Sequence, residues 1–254
     1  MTGLIKAELI KTFKRRTFWV LLMVLAVLTG LLAFVFFFLP RIVPADQGFP
    51  LLSKPGAYTF GAQQVLGQPW FPLILAVMAL AGELATSTWA TALTRNARRG
   101  QHLAARLLTT TSAAWGAMLA AIFGFGVVAF FFASGSGFLS GGEVWDIVWK
   151  TAFVMFSWVS LGLAASAWLR SVGPAIGAVL AFSFGESILS LWEGWRQVSL
   201  STHVSALLGN LSQLGDFGSI LGDPPSFEKA LVVVAAWGVG ASLAAWAGLR
   251  LRDA

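Results

Sequence analysis

The residues in this chain with chemistry to offer are few, and two kinds stand out. Glu186 lies in an apolar stretch with Ser183, Ser187 and Ser190 at i−3, i+1 and i+4, a polar stripe along one helix. A carboxylate in an apolar span is costly and faces a bundle interior or a wet cavity. The stripe therefore suits a transport pathway or hydrogen bonding to neighbouring helices. A second acid, Glu83, sits just before Thr86, Ser87 and Thr88 and reads as a structural hydrogen-bonding acid. Downstream, Arg95, Arg99, His102 and Arg106 recur at spacings of 4, 3 and 4, with Arg98 beside them. On a helix they form one basic stripe, with Thr94 or Asn96 placed to cap it. Such a stripe faces headgroups and water, or docks a partner with an acidic surface.

Other chemistries find no footing. The sequence contains no Gly-Lys dipeptide and so no G-x-x-x-x-G-K-[ST] phosphate loop. It has no cysteine, which excludes disulfides, thiolate metal sites and a cysteine nucleophile. His102 and His203 fall on opposite sides of the membrane in the topology below and cannot share a metal. A serine hydrolase built on Gly135-Ser136-Gly137 with His203 rests on a three-residue match; the stretch reads better as a Gly/Ser turn. The chain is thus not expected to be an enzyme.

The scaffold for these residues follows from composition. Of 254 residues, 57% are hydrophobic and only 11% charged, against roughly 45–50% and 25% in soluble domains. Disorder needs the reverse balance. Twelve tryptophans suit a chain with two membrane interfaces. A helix crosses about 30 Å of hydrocarbon with about 20 apolar residues. Six segments qualify: 17–39, 69–93, 107–133, 147–169, 174–192 and 227–249. The first is too long for a signal-peptide core and has no A-x-A site after it, so it reads as a retained span. The expected fold is one all-α transmembrane domain over residues 1–254.

Charge sets the orientation. Twelve of the 17 basic residues, from Lys6, Lys11, Lys14, Arg15 and Arg16 to Arg250 and Arg252, lie on the side of the termini. Five, Arg41, Lys54, Lys150, Arg196 and Lys229, lie opposite. The positive-inside rule places both termini in the cytoplasm. The net charge of +6 is accordingly topogenic rather than a nucleic-acid footprint.

Between and before the spans, four further features stand out. Residues 4–16 form an amphipathic pattern, with Ile5, Leu9 and Phe13 on one face and Glu8, Lys11 and Arg15 on the other. This predicts an elbow helix flat on the cytoplasmic headgroups, held by apolar burial and anionic lipid. The outer loop 40–68, with Pro40, Pro44, Pro50 and Pro55, reads as irregular. Loop 193–226 carries Val204, Leu207, Leu208, Leu211 and Leu214 on one stripe, a short helix at the outer leaflet. Gly173 with Gly177, and Gly240 with Ala244 and Gly248, are small-x-x-x-small candidates for close helix contact.

Taken in order, these segments resemble the exporter-type (type-2) ABC transporter permeases. The carriers are Leu4 to Lys11 followed by Arg15-Arg16 and a span, and Gly82-Glu83 through Thr88, Arg95 to Arg99 and Arg106-Leu107. Ser87 stands where that family has glycine, Asn96 near its proline and Arg106 for its lysine. The likeness covers about 40 residues plus the six-span layout. It implies a permease subunit in the plasma (inner) membrane of a prokaryote. Its partners would be a second permease subunit, separate ABC ATPase subunits carrying ATP and Mg, and membrane lipid. The resemblance places Lys11, Arg15, Arg95, Arg98, Arg99, His102 and Arg106 at the ATPase contact, and the cargo would be hydrophobic or amphipathic. No cofactor would be held in this chain. A non-ABC ion-coupled carrier or channel with Glu186 as its ion site is the alternative.

Overall fold

The structure, a computed structural model, describes residues 2–42, 54–86, 99–133, 139–208 and 225–251. Every regular element among them is helical: α1 (Thr2–Lys14), α2 (Arg16–Ile42), α3 (Lys54–Leu66), α4 (Trp70–Ala85), α5 (Arg99–Phe132), α6 (Gly141–Leu169), α7 (Val172–Leu189), α8 (Glu193–Arg196), α9 (Leu200–Leu207) and α10 (Phe227–Leu251). Six helical stretches among the described residues are long and apolar enough to cross a membrane, and each overlaps one of the six expected segments. The match follows from physics that is local in sequence: in hydrocarbon each backbone polar group needs an internal partner, which an apolar helix supplies by itself.

The largest differences from expectation are four, the first being that α4 ends at Ala85 rather than at 93. Helix α5 begins at Arg99, eight residues before its apolar run, so the third span carries its basic flank as helix. Helix α6 begins at Gly141 because Ser140 and Glu143 form a reciprocal capping box, an S-x-x-E signature before the apolar run. The outer loop 40–68 is not irregular throughout. Residues 54–66 form α3, where Pro55 occupies the first turn and its missing N–H costs nothing. Buried Ala62, Val65 and Leu66 hold α3 to the core, and Gly61 lies against the Phe125 ring of α5.

Helix α6 is the hub. It packs on α10, α4, α5 and α7, while α2 lies at the periphery against α5 and α4. Polar bonds sew α6 to α10: Ser157 Oγ donates to Val234 O at 2.9 Å, Ser160 and Ser242 share a bond of 2.9 Å, and Trp168 Nε1 donates to Ala244 O at 3.0 Å. The tightest contacts fall at glycines other than those expected, although Gly248 is a close contact as expected. A Cβ on Gly162 would stand 2.6 Å from Ala76 Cβ, and one on Gly238 would stand 2.6 Å from the Phe156 ring. Gly173, Gly177 and Gly240 face open space, whereas Gly248 meets Ala167 and Trp168. A small-x-x-x-small pattern marks a helix face that can be approached closely, not one that is.

Candidate functional site

The densest polar cluster among the described residues lies at the bundle end that carries α1, the C-terminus of α4 and the start of α5. Arg106, from the first turns of α5, is 2% exposed. Its Nη2 donates to Glu83 Oε2 of α4 at 2.6 Å and to Glu8 Oε2 of α1 at 2.8 Å. Its Nη1 donates to Ala79 O at 2.9 Å. Around this core, Arg15 Nη2 donates to Glu83 Oε1 at 2.8 Å and Arg15 Nη1 to Met78 O at 2.6 Å. Lys11 Nζ donates to Glu8 Oε1 at 2.9 Å and lies 3.6 Å from Glu83 Oε1. Three cations thus hold two buried carboxylates, and the pairs join residues as far apart as 8 and 106.

The geometry suits a mechanical latch better than catalysis. It contains no nucleophile and no open metal position, and no group of three His, Asp or Glu residues suited to a metal occurs among the described residues. The planar guanidinium of Arg106 ties three helices through one group, which an ammonium could not do with the same fork. Burial opposes ionisation of Glu8, but the Arg106 guanidinium and Lys11 ammonium outweigh it and hold its carboxyl below the usual range. The charged form is therefore the one that latches α1.

This arrangement gives the polar face of α1 a protein partner in place of water. Glu8 was assigned to a polar face turned away from the membrane; instead Glu8 and Thr12 are buried against the protein while Ile10 and Phe13 are exposed. The pull of Arg106 on Glu8 turns the polar face inward, and α1 presents the apolar side chains of Ile10 and Phe13 outward. The expected docking stripe is also split. Arg106 and His102 are buried, and Arg15 and Lys11 turn inward to Glu83 and Glu8. Arg106 and His102 are consequently not on an open surface, whereas Lys11 pairs with Glu8 and stays exposed and Arg15 stays half-buried. Arg95 and Arg98 lie outside the described residues, as does the side chain of Arg99.

Glu186 also departs from the pathway expectation. It is 1% exposed, and its Oε1 accepts from Leu200 N, from Ser201 N at 3.1 Å and from Ser199 Oγ at 3.2 Å. The carboxylate of α7 therefore caps the N-terminus of α9, where unpaired amides and the helix dipole favour an anion. Ser187 Oγ bonds Ser183 O, and Ser190 Oγ bonds Ser187 O, so these serines satisfy themselves on their own helix rather than extending a polar path. The stripe was a pattern of sequence, and only Glu186 faces inward.

Helix α9 docks by Leu200, Val204 and Leu207, with His203 fully buried beside them. The stripe that suggested an outer-leaflet helix is in this part a protein-facing surface; Leu211 and Leu214 lie outside the described residues. Burial holds the His203 imidazole below its ordinary 6.5, with Lys229 adding to the depression against the Ser199 carbonyl. Its neutral form is the folded one, so this contribution to stability is whole above about pH 6.5 and falls as acidification proceeds below it.

The cap makes a graded prediction. Glu186→Gln keeps an acceptor at Oε1 and should shift stability by no more than about 1 kcal/mol. Glu186→Leu strands two buried amides and should cost roughly 2–3 kcal/mol. Thermal melting of the two purified variants in one detergent checks this, and equal melting temperatures would refute the cap.

No protein-family model matches the chain, and no curated protein sequence matches it.

Proposed function

We propose that this chain is the membrane-spanning permease subunit of an ATP-driven ABC transporter, an exporter of hydrophobic or amphipathic cargo powered by separate ATPase subunits. The observation that carries the reading is the Arg106 latch. An N-terminal helix fastened by buried ion pairs to the ends of α4 and α5 is a lever: a force on α1 moves those two helices as one. ATP binding and hydrolysis in cytoplasmic ATPases would supply that force and shift the permease between inward- and outward-facing states. The excess of basic residues around the termini supports a cytoplasmic location for this end in a prokaryotic plasma membrane. A second permease subunit would complete the pathway. The ion-coupled alternative rested on Glu186, and that carboxylate is engaged at α9.

In this reading the ATPase contact centres on Arg95, Arg98 and Arg99, with exposed Lys11 adding to them, since Arg106 and His102 are buried. Reversing all three to glutamate is expected to abolish co-purification of an ATPase from the native host while insertion persists. Juxtaposed like charges cost several kcal/mol and remove electrostatic steering. Full recovery of an ATPase with the triple variant would refute the docking role.

A further inference from the structure

Helices α2 and α5 enclose a cavity of about 430 Å³ that polar chemistry enters at one point. Its rim is formed by Ala26 and Gly30 of α2 and by Ala120 and Gly124 of α5, all exposed on the outside of the bundle. A Cβ at Gly30 or Gly124 would meet nothing within 4 Å, so the glycines leave space rather than bring the helices together. Phe125 and Thr29 line the floor, and both are buried.

Thr29 is 5% exposed, and its Oγ1 has no hydrogen-bond partner among the described residues. Three other threonines settle that need by bonding the carbonyl one turn back: Thr12 to Glu8 O at 3.0 Å, Thr86 to Gly82 O at 2.9 Å, Thr151 to Ile147 O at 2.6 Å. Thr110 and Thr111 of α5 also lack a partner among the described residues, but only Thr29 lines this cavity. A buried hydroxyl without a partner is costly, most of all where no water reaches. The volume falls in the range of small-ligand pockets, which combine apolar walls with a few placed polar groups.

We infer that this cavity is a laterally opening binding site for an apolar, membrane-dissolved molecule bearing one hydrogen-bonding oxygen, such as a long-chain alcohol or ketone. The apolar body fills the space between the small residues, and the oxygen pairs with Thr29 Oγ1. The site is filled from the bilayer through the small-residue rim, so it operates whether or not an ATPase drives the protein.

Photolabelling of the whole chain in dioleoylphosphatidylcholine nanodiscs tests the site. The probes are a diazirine-bearing 1-dodecanol and the matching diazirine-bearing dodecane, with attachment points mapped by mass spectrometry. The alcohol should label residues 22–33 and 117–128 about five-fold more than the alkane, the ratio a single net hydrogen bond provides. Thr29→Val, which keeps the side-chain shape, should erase that ratio, and Gly124→Leu should remove labelling by both probes. Equal labelling by alcohol and alkane in the parent chain would overturn the inference by making the cavity a groove for acyl chains. So would no labelling there at all, as when a second copy covers this face, or an alcohol preference that survives Thr29→Val. The Thr29→Val comparison decides even if Gly124→Leu does not fold.

Discussion

Replacing Arg106 with leucine is expected to lower stability by roughly 3 kcal/mol or more, the scale for breaking a buried charge network from one side. Glu8 and Glu83 stay buried, each losing its Arg106 bond, while Lys11 and Arg15 reach only their other oxygens. Arg106→Lys should recover part of the loss and no more, because an ammonium carries its donors on one nitrogen and lacks the planar fork whose two nitrogens reach two carboxylates and a carbonyl. Melting of the purified variants checks this order, with leucine lowest and lysine intermediate. The pH dependence has a definite sign. Glu8 has a folded-state pKa below its ordinary 4.5, so its contribution is present above about pH 4.5 and is lost as pH falls through the depressed value. Acidification should release α1 in that window, and Glu8→Gln should flatten that part of the profile.

Gly162→Ala is expected to be the second large effect, about 1–3 kcal/mol from overpacking. The added methyl would stand 2.6 Å from Ala76 Cβ and 2.8 Å from the backbone carbonyl of Leu73, and neither can swing aside as a flexible side chain would. Helices α4 and α6 would have to separate at the centre of the bundle. Gly116→Ala is the matched control: it makes the same change on α5, where nothing lies within 4 Å. Helix propensity alone should make that variant neutral or up to about 1 kcal/mol more stable. Melting temperatures that move together in the two variants would contradict the close α4–α6 contact.

The spans were legible because apolar length is a property of a contiguous segment. Their ends were less so, since Arg99 to Arg106 reads as a polar flank until the whole stretch is seen as one helix. The latch was half-legible. Glu83 was legible as a hydrogen-bonding acid, and Glu8 only as part of the polar face of α1. The partner was not visible, because 98 residues separate Glu8 from Arg106. Spacing of 4, 3 and 4 aligns Arg95, Arg99, His102 and Arg106 on a wheel, yet it does not say whether that face meets water or a neighbouring helix. The position of Arg106 at the mouth of the apolar run was the available signal: a cation there is more readily drawn to a buried acid than left in lipid. Glu186 was legible only as a choice between a pathway and hydrogen bonding to a neighbouring helix, and the structure shows the second. Its serine neighbours suggested a path, but its true partners are backbone amides of α9, and backbone groups carry no residue-type signature.

The central claim is that cytoplasmic ATP turnover moves the spans through α1, and the absence of native cysteine makes it directly measurable. Spin labels on Lys14→Cys at the end of α1 and Glu193→Cys beyond α7 occupy exposed positions at two well-separated places in the fold. In nanodiscs containing the complex purified with its ATPase, pulsed electron paramagnetic resonance reads the distance between them with and without a non-hydrolysable ATP analogue. The account predicts a nucleotide-dependent shift in the distance distribution that shrinks in Arg106→Lys while the ATPase still binds nucleotide. A distribution unchanged by nucleotide in the parent complex, or a shift that persists undiminished in Arg106→Lys, would contradict it.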